Sequence, residues 1–314
     1  METVSASPNF SQTQIISNFA ELRARASAVG PKRVAVAAAD DEVALTAAEG
    51  ARLLGLAEIV LLGDEQRIRT KAEHLGLVSL LDAARIVDAS DPAGAAVQLA
   101  RSGEVDILSK GHLRTDELLG AVLKKVGGLR TGRILSDVLL YEDTLCGRRR
   151  LVGITDGGLN VAPNLQTKRE IVLNAIEVMR RLGLDRPKIA LMSATEVVTS
   201  AVPSTVDAKA LAEMCQAGDF GTAEVFGPVA LDCALVRAAA EAKGISHVVA
   251  GYSDCMVVPN IEAGNLLGKS AKYLGGSQCA HVVVGALVPI LIPSRAESAE
   301  DKINAIALGV ICAR

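Results

Sequence analysis

Short runs rich in Val and Ile alternate with longer stretches of helical period along most of this chain, and that alternation constrains the fold more than any other feature. A strand followed by a helix that returns to the next strand is a βα unit, and a series of such units builds a mostly parallel sheet with helices on its faces. Strands are expected at RVAVAAA from Arg33, EIVLLG from Glu58, RIVDA from Arg85 and DILSKG from Asp106, with helices that include 42–54 and 115–125. ILSDVLLYED and RRLVGITDGG suit a hairpin, and GGLNVAPNLQTK reads as a connector punctuated by Gly157, Gly158 and Pro163. A second series follows: a helix over 167–182, strand KIALMS from Lys188, a helix from Val206, strand AEVFG from Ala223 and a helix to Lys243. Strands HVVAG, CMVVP and HVVVGALVPILIP close it. The last helix, 299–312, sets Ile303, Ile306, Ala307, Val310 and Ile311 on one face, which is expected to be buried.

A length of 314 residues suits two domains or one large α/β domain. Half the residues are apolar but only 2% are aromatic, so the core must be built from Ala, Val, Leu and Ile, and few rings are left for stacking on bases. A net charge of −3 removes the basic footprint of a nucleic-acid binder and points to small-molecule partners. The six cysteines form no CxxC and no zinc-ligand spacing, as reduced thiols would. The start METVSASPNFSQTQIISNF has no basic residue before Arg23, unlike a signal peptide, and the apolar run 282–293 contains Pro289 and is shorter than the ~20 residues that span a bilayer. A soluble cytoplasmic protein with no membrane partner is expected.

Several chemistries lack their motif. No G-x-G occurs, so the glycine fingerprint of a dinucleotide site is missing, and neither G-x-S-x-G nor H-E-x-x-H is present. AGNLLGKS from Ala263 nearly matches a phosphate-binding loop, but Ala263, Leu266, Leu267, Ala271 and Leu274 look like the apolar face of a helix already under way, so no nucleotide-phosphate role is expected for Lys269.

Ligands of open α/β sheets bind beyond the carboxyl ends of strands, where helix amino termini present unpaired N–H groups. Three segments have that placement. In SRAESAED, 294–301, Arg295 is suited to hold a phosphate bidentately and Ser294 to donate a hydrogen bond to developing oxyanion charge. Asp301 admits two roles. With Ser298 it makes a capping-box pattern at the start of the last helix, and as a cleft carboxylate it would be a base for a thiol, whose ordinary pKa of ~8.5 leaves little thiolate at neutral pH. PNIEAGN, 259–265, offers Asn260, Glu262 and Asn265 as short polar groups at a helix start and Gly264 for close backbone approach, with plain capping as the alternative. SKGHLRT, 109–115, places Lys110, His112 and Arg114 after a strand end, either as ligand contacts or as a solvated basic loop.

Taken in order, SKGHLRTDELLGAVL, GLRTGRILSDVLL, PSTVDAKALAEM, FGPVALDCA, PNIEAGNLLGK and PILIPSRAESAEDK resemble the phosphate acetyltransferase and phosphate butyryltransferase family, nearer its butyryltransferase branch, from about Arg33 onward. The EAGN and SRAES segments, in that order before a last helix, are the specific part. The resemblance implies an α/β fold of two α/β/α domains with the active cleft between them, related to isocitrate and isopropylmalate dehydrogenases, and a homodimer. It divides the chain into domain I, 1–157 completed by 290–314, and domain II, 158–289. It implies interconversion of acyl-CoA plus inorganic phosphate with acyl phosphate plus CoA, for an acetyl, butyryl or similar short acyl group. Ser294 falls on the family's transition-state serine, Arg295 on its phosphate-binding arginine and Asp301 on the aspartate assigned to the thiol, while Lys110, Asn260, Glu262, Gly264 and Asn265 are expected to bind substrate or CoA. CoA enters as a substrate, and no metal or redox cofactor is required. The alternative, an NAD-dependent oxidoreductase on the related dehydrogenase fold, needs a nicotinamide site and clustered acidic metal ligands that the sequence does not display. A noncatalytic CoA-binding or phosphate-binding protein is a third reading, against which the Ser294 and Arg295 pair argues.

Overall fold

The computed structural model describes residues 14–294 and 296–313. The first series runs α1 (Phe19–Val29), β1 (Lys32–Ala37), α2 (Glu42–Leu53), β2 (Ala57–Gly63), α3 (Glu65–His74), α4 (Val78–Ala83), β3 (Arg85–Asp88), α5 (Pro92–Arg101), β4 (Ile107–Lys110) and α6 (Thr115–Val122). The expected hairpin forms as β5 (Ser136–Asp143) and β6 (Arg150–Thr155), paired antiparallel. The second series is α7 (Leu165–Arg181), β7 (Lys188–Met192), α8 (Pro203–Gln216), β8 (Glu224–Val229), α9 (Leu231–Leu235), α10 (Arg237–Ala242), β9 (Cys255–Val257), α11 (Ile261–Tyr273), β10 (Cys279–Val284), β11 (Ile290–Leu291) and α12 (Ala299–Cys312).

Among the described residues, eleven strands join one mixed sheet in the order β3-β2-β1-β4-β11-β10-β5-β6-β9-β7-β8. Both ends are parallel, as the βα alternation requires. The middle is antiparallel through β11/β10, β10/β5 and β5/β6. One face carries a continuous apolar core against α1, α2, α7, α8 and α12. On the other face the core is split, with one cluster under α5 and α6 and a second under α9, α10 and α11. Among the described residues no helix is long and apolar enough to cross a membrane.

Three local expectations need correction. HVVAG is not a strand: Val249 and Ala250 are buried, but the segment is a turn tied to α9, with the Gly251 N–H on the Cys233 carbonyl at 2.8 Å. CMV takes the place between β6 and β7 that such a strand would need. HVVVGALVPILIP is two strands, because Gly285 (φ +102°) turns the chain where a Cβ would strike the Ile134 carbonyl, and Ile290 then pairs antiparallel with Val283. Finally, α12 is buried almost all round. It lies between the sheet and α1 and α2, and Ala305, Ala307 and Gly309 let these elements approach, so the single apolar face read from its period understates its burial. In addition, α6 stops at Val122, α8 begins at Pro203, a proline suited to a first helical position, and the helix expected to run to Lys243 is two, α9 and α10, broken by the extended backbone of Val236.

Candidate active site

The split on that second face is a cleft of about 480 Å3, an ordinary size for a small-molecule site. One wall comes from the ends of β4 and β11 and the start of α6, with Lys110, Leu113, Arg114, Ile292 and Ser294. The opposite wall is the loop after β6 together with α11, with Gly157, Gly158, Gly264, Asn265, Lys269 and Lys272. Asp137 and Leu139 of β5, Ile154 of β6, and Cys279 and His281 of β10 form the floor, alternate residues pointing the same way from their strands.

Each wall is held by backbone contacts. After β4 the Gly111 and His112 N–H groups donate to the Ala37 and Ala38 carbonyls at 2.8 and 2.7 Å, which continues the β1 pairing and carries Lys110 into the cleft wall, 5% exposed. Arg114 forks onto Asp116 with two 2.9 Å contacts. Across the cleft, Asn260 caps α11 by accepting the Ala263 N–H at 3.0 Å. Gly264 then lies so close to the β6 loop that a Cβ on it would stand 2.6 Å from the Gly157 Cα. That loop is organised by buried Asp156, whose carboxylate accepts the Gly158, Leu159 and Asn160 N–H groups at 2.8, 2.9 and 3.3 Å. Burial and the nearby Asp137 charge outweigh these donors and raise the Asp156 carboxyl above its usual range.

Asp301 occupies the third position of α12 and closes the capping box with Ser298. Its oxygens accept from Ser298 Oγ at 2.6 Å, the Cys279 N–H at 3.0 Å and Lys272 Nζ. Burial opposes its ionisation, but these donors prevail and hold the carboxyl below the ordinary value. A different cluster faces the cleft. Asp137 pairs in register with Val283, so His281 is its diagonal neighbour, and His281 Nδ1 sits 3.0 Å from Asp137 Oδ2. The other ring nitrogen is 3.6 Å from Glu297 Oε1. Burial disfavours the imidazolium, yet the charge and hydrogen bond of Asp137, with the charge of Glu297, push the His281 pKa up to about 9. Burial raises Glu297 above the usual carboxylate range although His281 opposes the rise.

Of the residues singled out in the sequence, Lys110, Gly264, Asn265 and Ser294 line this cleft, as does Arg114. Asn260, Glu262 and Asp301 do not: Asn260 is the α11 cap, Glu262 is exposed in its first turn, and Asp301 is buried in the first turn of α12, bound to the Ser298 cap. His112 is exposed, 3.7 Å from Asp41. Arg295 lies outside the described residues. The near phosphate loop AGNLLGKS is helical throughout, and Lys269 reaches the cleft from α11. Sequence reasoning passed over Asp137, Lys272, His281 and Glu297. The signal available was a polar residue at an inward position of an apolar strand, in SDVLLY and CAHVVV. Among the described residues one trio has metal-ligand spacing, Glu196, Asp232 and Cys233, and Lys243 already pairs with both carboxylates at 3.1 Å.

Residues 78–310 match the family model described as phosphate acetyl/butaryl transferase. The chain is 39% identical to a phosphate butyryltransferase of Clostridium beijerinckii, across 94% of this chain and 98% of that protein. It is also 39% identical to a phosphate acetyltransferase of Rickettsia felis, across 91% of this chain and 82% of that protein. The crystal structure of a branched-chain phosphotransacylase from Enterococcus faecalis V583 superposes with a TM-score of 0.77 at 31% identity, covering 89% of this chain and 99% of that one. With Gly264 and Asn265 of the EAGN segment and Ser294 of the SRAES segment lining one cleft, the chain belongs to the phosphate acetyl/butyryltransferase family and is a phosphate acyltransferase.

Proposed function

We propose that the cleft exchanges a short acyl group between coenzyme A and inorganic phosphate, with Ser294 and Arg295 meeting the carbonyl and phosphoryl oxygens. The observation that carries this reading is the set of four cationic side chains, Lys110, Arg114, Lys269 and Lys272, on its two facing walls. Fixed cations beside a low-dielectric cleft favour phosphate and the charge that collects on it as the acyl C–O bond breaks. Leu113, Leu139, Ile154 and Ile292 supply apolar contact for an acyl chain. In the direction that consumes acyl phosphate, the thiolate of CoA attacks the carbonyl carbon and phosphate departs. Holding the two substrates together supplies much of the acceleration. CoA is a substrate, and no step calls on a metal or a redox group.

The same reading divides the molecule into 1–157 with 290–314, and 158–289. Supporting it, α12 packs on α1 and α2, and the cleft separates two apolar clusters. A homodimer is proposed as well, supported by the exposed Leu266 and Tyr273, seven residues apart on α11, and Leu274 beside them. The test is CoA release from acetyl-, propionyl-, butyryl- and branched acyl-CoA with and without phosphate. Release that requires phosphate is expected, with chain-length preference resting on ~1 to 3 kcal/mol per methylene. No phosphate-dependent release from any of them would overturn the proposal, and tight NAD binding in a parallel titration would favour the dehydrogenase alternative.

A further inference from the structure

Asp137, His281 and Glu297 come from β5, β10 and the segment before α12, and meet at the cleft. Glu297 is tied to Ser294, its N–H donating to the Ser294 carbonyl at 3.1 Å. Its side chain is 5% exposed and Oε2 has no hydrogen-bond partner among the described residues. An unsatisfied buried carboxylate oxygen is costly, and such groups are rare outside functional sites. The other titratable groups facing the trio are Lys272 of α11, Asp301 of α12, the Cys279 thiol of β10 and, beside Asp137, the buried Asp156 that follows β6. Lys272 and Asp301 are paired with each other.

The carboxylate that the family resemblance assigns to the thiol is Asp301, and its oxygens are already taken by Ser298, Lys272 and the Cys279 amide. A carboxylate so stabilised in its charged form is a weak proton acceptor. We propose instead that Glu297 takes the thiol proton in this cleft, and that Asp137 positions His281 so that its imidazole faces the Glu297 carboxylate. The inference rests on the acyl-exchange reading above. In the direction that consumes acyl phosphate, the S–H bond breaks and its proton moves to Glu297. The sulfur electron pair forms the S–C bond to the carbonyl carbon, and the C–O bond to phosphate breaks with its electron pair leaving on phosphate. Glu297 then returns the proton to the departing phosphate. In reverse, protonated Glu297 supplies the proton to the CoA thiolate. Burial, which raises the Glu297 carboxyl above its usual range, suits it to both directions.

The experiment measures kcat against pH for the full-length enzyme with acetyl or butyryl phosphate and CoA. Glu297→Gln is expected to lower kcat by ~10²-fold near neutrality, a typical loss for a general base, with the deficit shrinking as pH approaches the thiol's own ionisation near ~8.5. Asp301→Asn removes an anion that raises Glu297 and frees Lys272, which lowers it, so it is expected to keep an acid limb, moved to lower pH. His281→Gln keeps Glu297 but removes the cation that favours its ionised form, and is expected to move the acid limb to higher pH. This variant carries the test if Glu297→Gln does not fold. Wild-type kcat and profile in Glu297→Gln, loss of the acid limb in Asp301→Asn, or an unmoved limb in His281→Gln would overturn the assignment. A wild-type enzyme inactive with every acyl phosphate would instead refute the acyl-exchange reading itself.

Discussion

Replacing Gly264 by alanine places one methyl group where the structure has no room for it. The new Cβ would lie 2.6 Å from the Gly157 Cα, 2.9 Å from the Asp156 carbonyl oxygen and 2.9 Å from Val258 Cγ2. Carbon atoms in ordinary contact stand ~3.5 to 4.0 Å apart, so the helix and the loop must separate by roughly 1 Å. Two of the three obstacles are backbone, and the loop is held by the Asp156 hydrogen bonds, so side-chain rotation cannot relieve them. Overpacking of this kind costs ~1 to 3 kcal/mol. The functional loss should be larger in proportion, because α11 carries Asn265, Lys269 and Lys272 into the cleft and a 1 Å misplacement of positioning groups costs ~10²-fold. The assay is thermal unfolding beside kcat/KM, with two companion variants. In Gly268→Ala the Cβ meets only Leu139 Cδ1, at 3.0 Å, the end of a rotatable side chain, and the effect should be mild. In Gly120→Ala nothing lies within 4 Å, and helix propensity should stabilise by up to ~1 kcal/mol. A Gly264→Ala enzyme with wild-type melting and kcat/KM within twofold, or a Gly268→Ala enzyme damaged as much, would refute the reasoning.

Asp301→Asn should destabilise by ~1 to 3 kcal/mol at neutral pH, below the ~3 to 5 of a fully buried broken pair because Lys272 is 19% exposed. The Asp301 carboxyl is held below its ordinary value in the fold, so its stabilisation is present above the unfolded pKa of ~3.9 and is lost as pH falls through the folded value. The gap between variant and wild type should therefore close in acid, and an equal gap in denaturant titrations at pH 7 and in strong acid would contradict this account. Arg295→Ala should lower activity by ~10²-fold or more with little change in melting temperature, and Arg295→Lys should restore only part of it, because a point charge lacks the planar fork. Wild-type phosphate KM and rate in either variant would remove Arg295 from the site.

The βα alternation was legible because it is written in near-neighbour patterns. A strand declares itself by β-branched runs, a helix by apolar residues three and four apart, and a cap by one short polar side chain, and all of these act within a few residues. Hence the strand and helix series, the β5–β6 hairpin, the Asn260 cap, the Ser298–Asp301 box and the helical nature of AGNLLGKS could be read directly. The motif residues Lys110, Gly264, Asn265 and Ser294 were legible too, and they line one cleft. Tertiary structure decided the rest. HVVAG carries a strand-like pattern, but CMV fills the place it would need in the sheet. Asp301 suits a cap and a base equally well in sequence, and only the approach of Lys272 and the Cys279 amide from other elements occupies its oxygens. Asp137 and His281 are 144 residues apart and come together only because β5 and β10 are neighbours in the sheet. Local propensity depends on bonds along the chain, whereas the protonation and reach of a side chain depend on which charges share its desolvated space, and that is settled by strand order and packing.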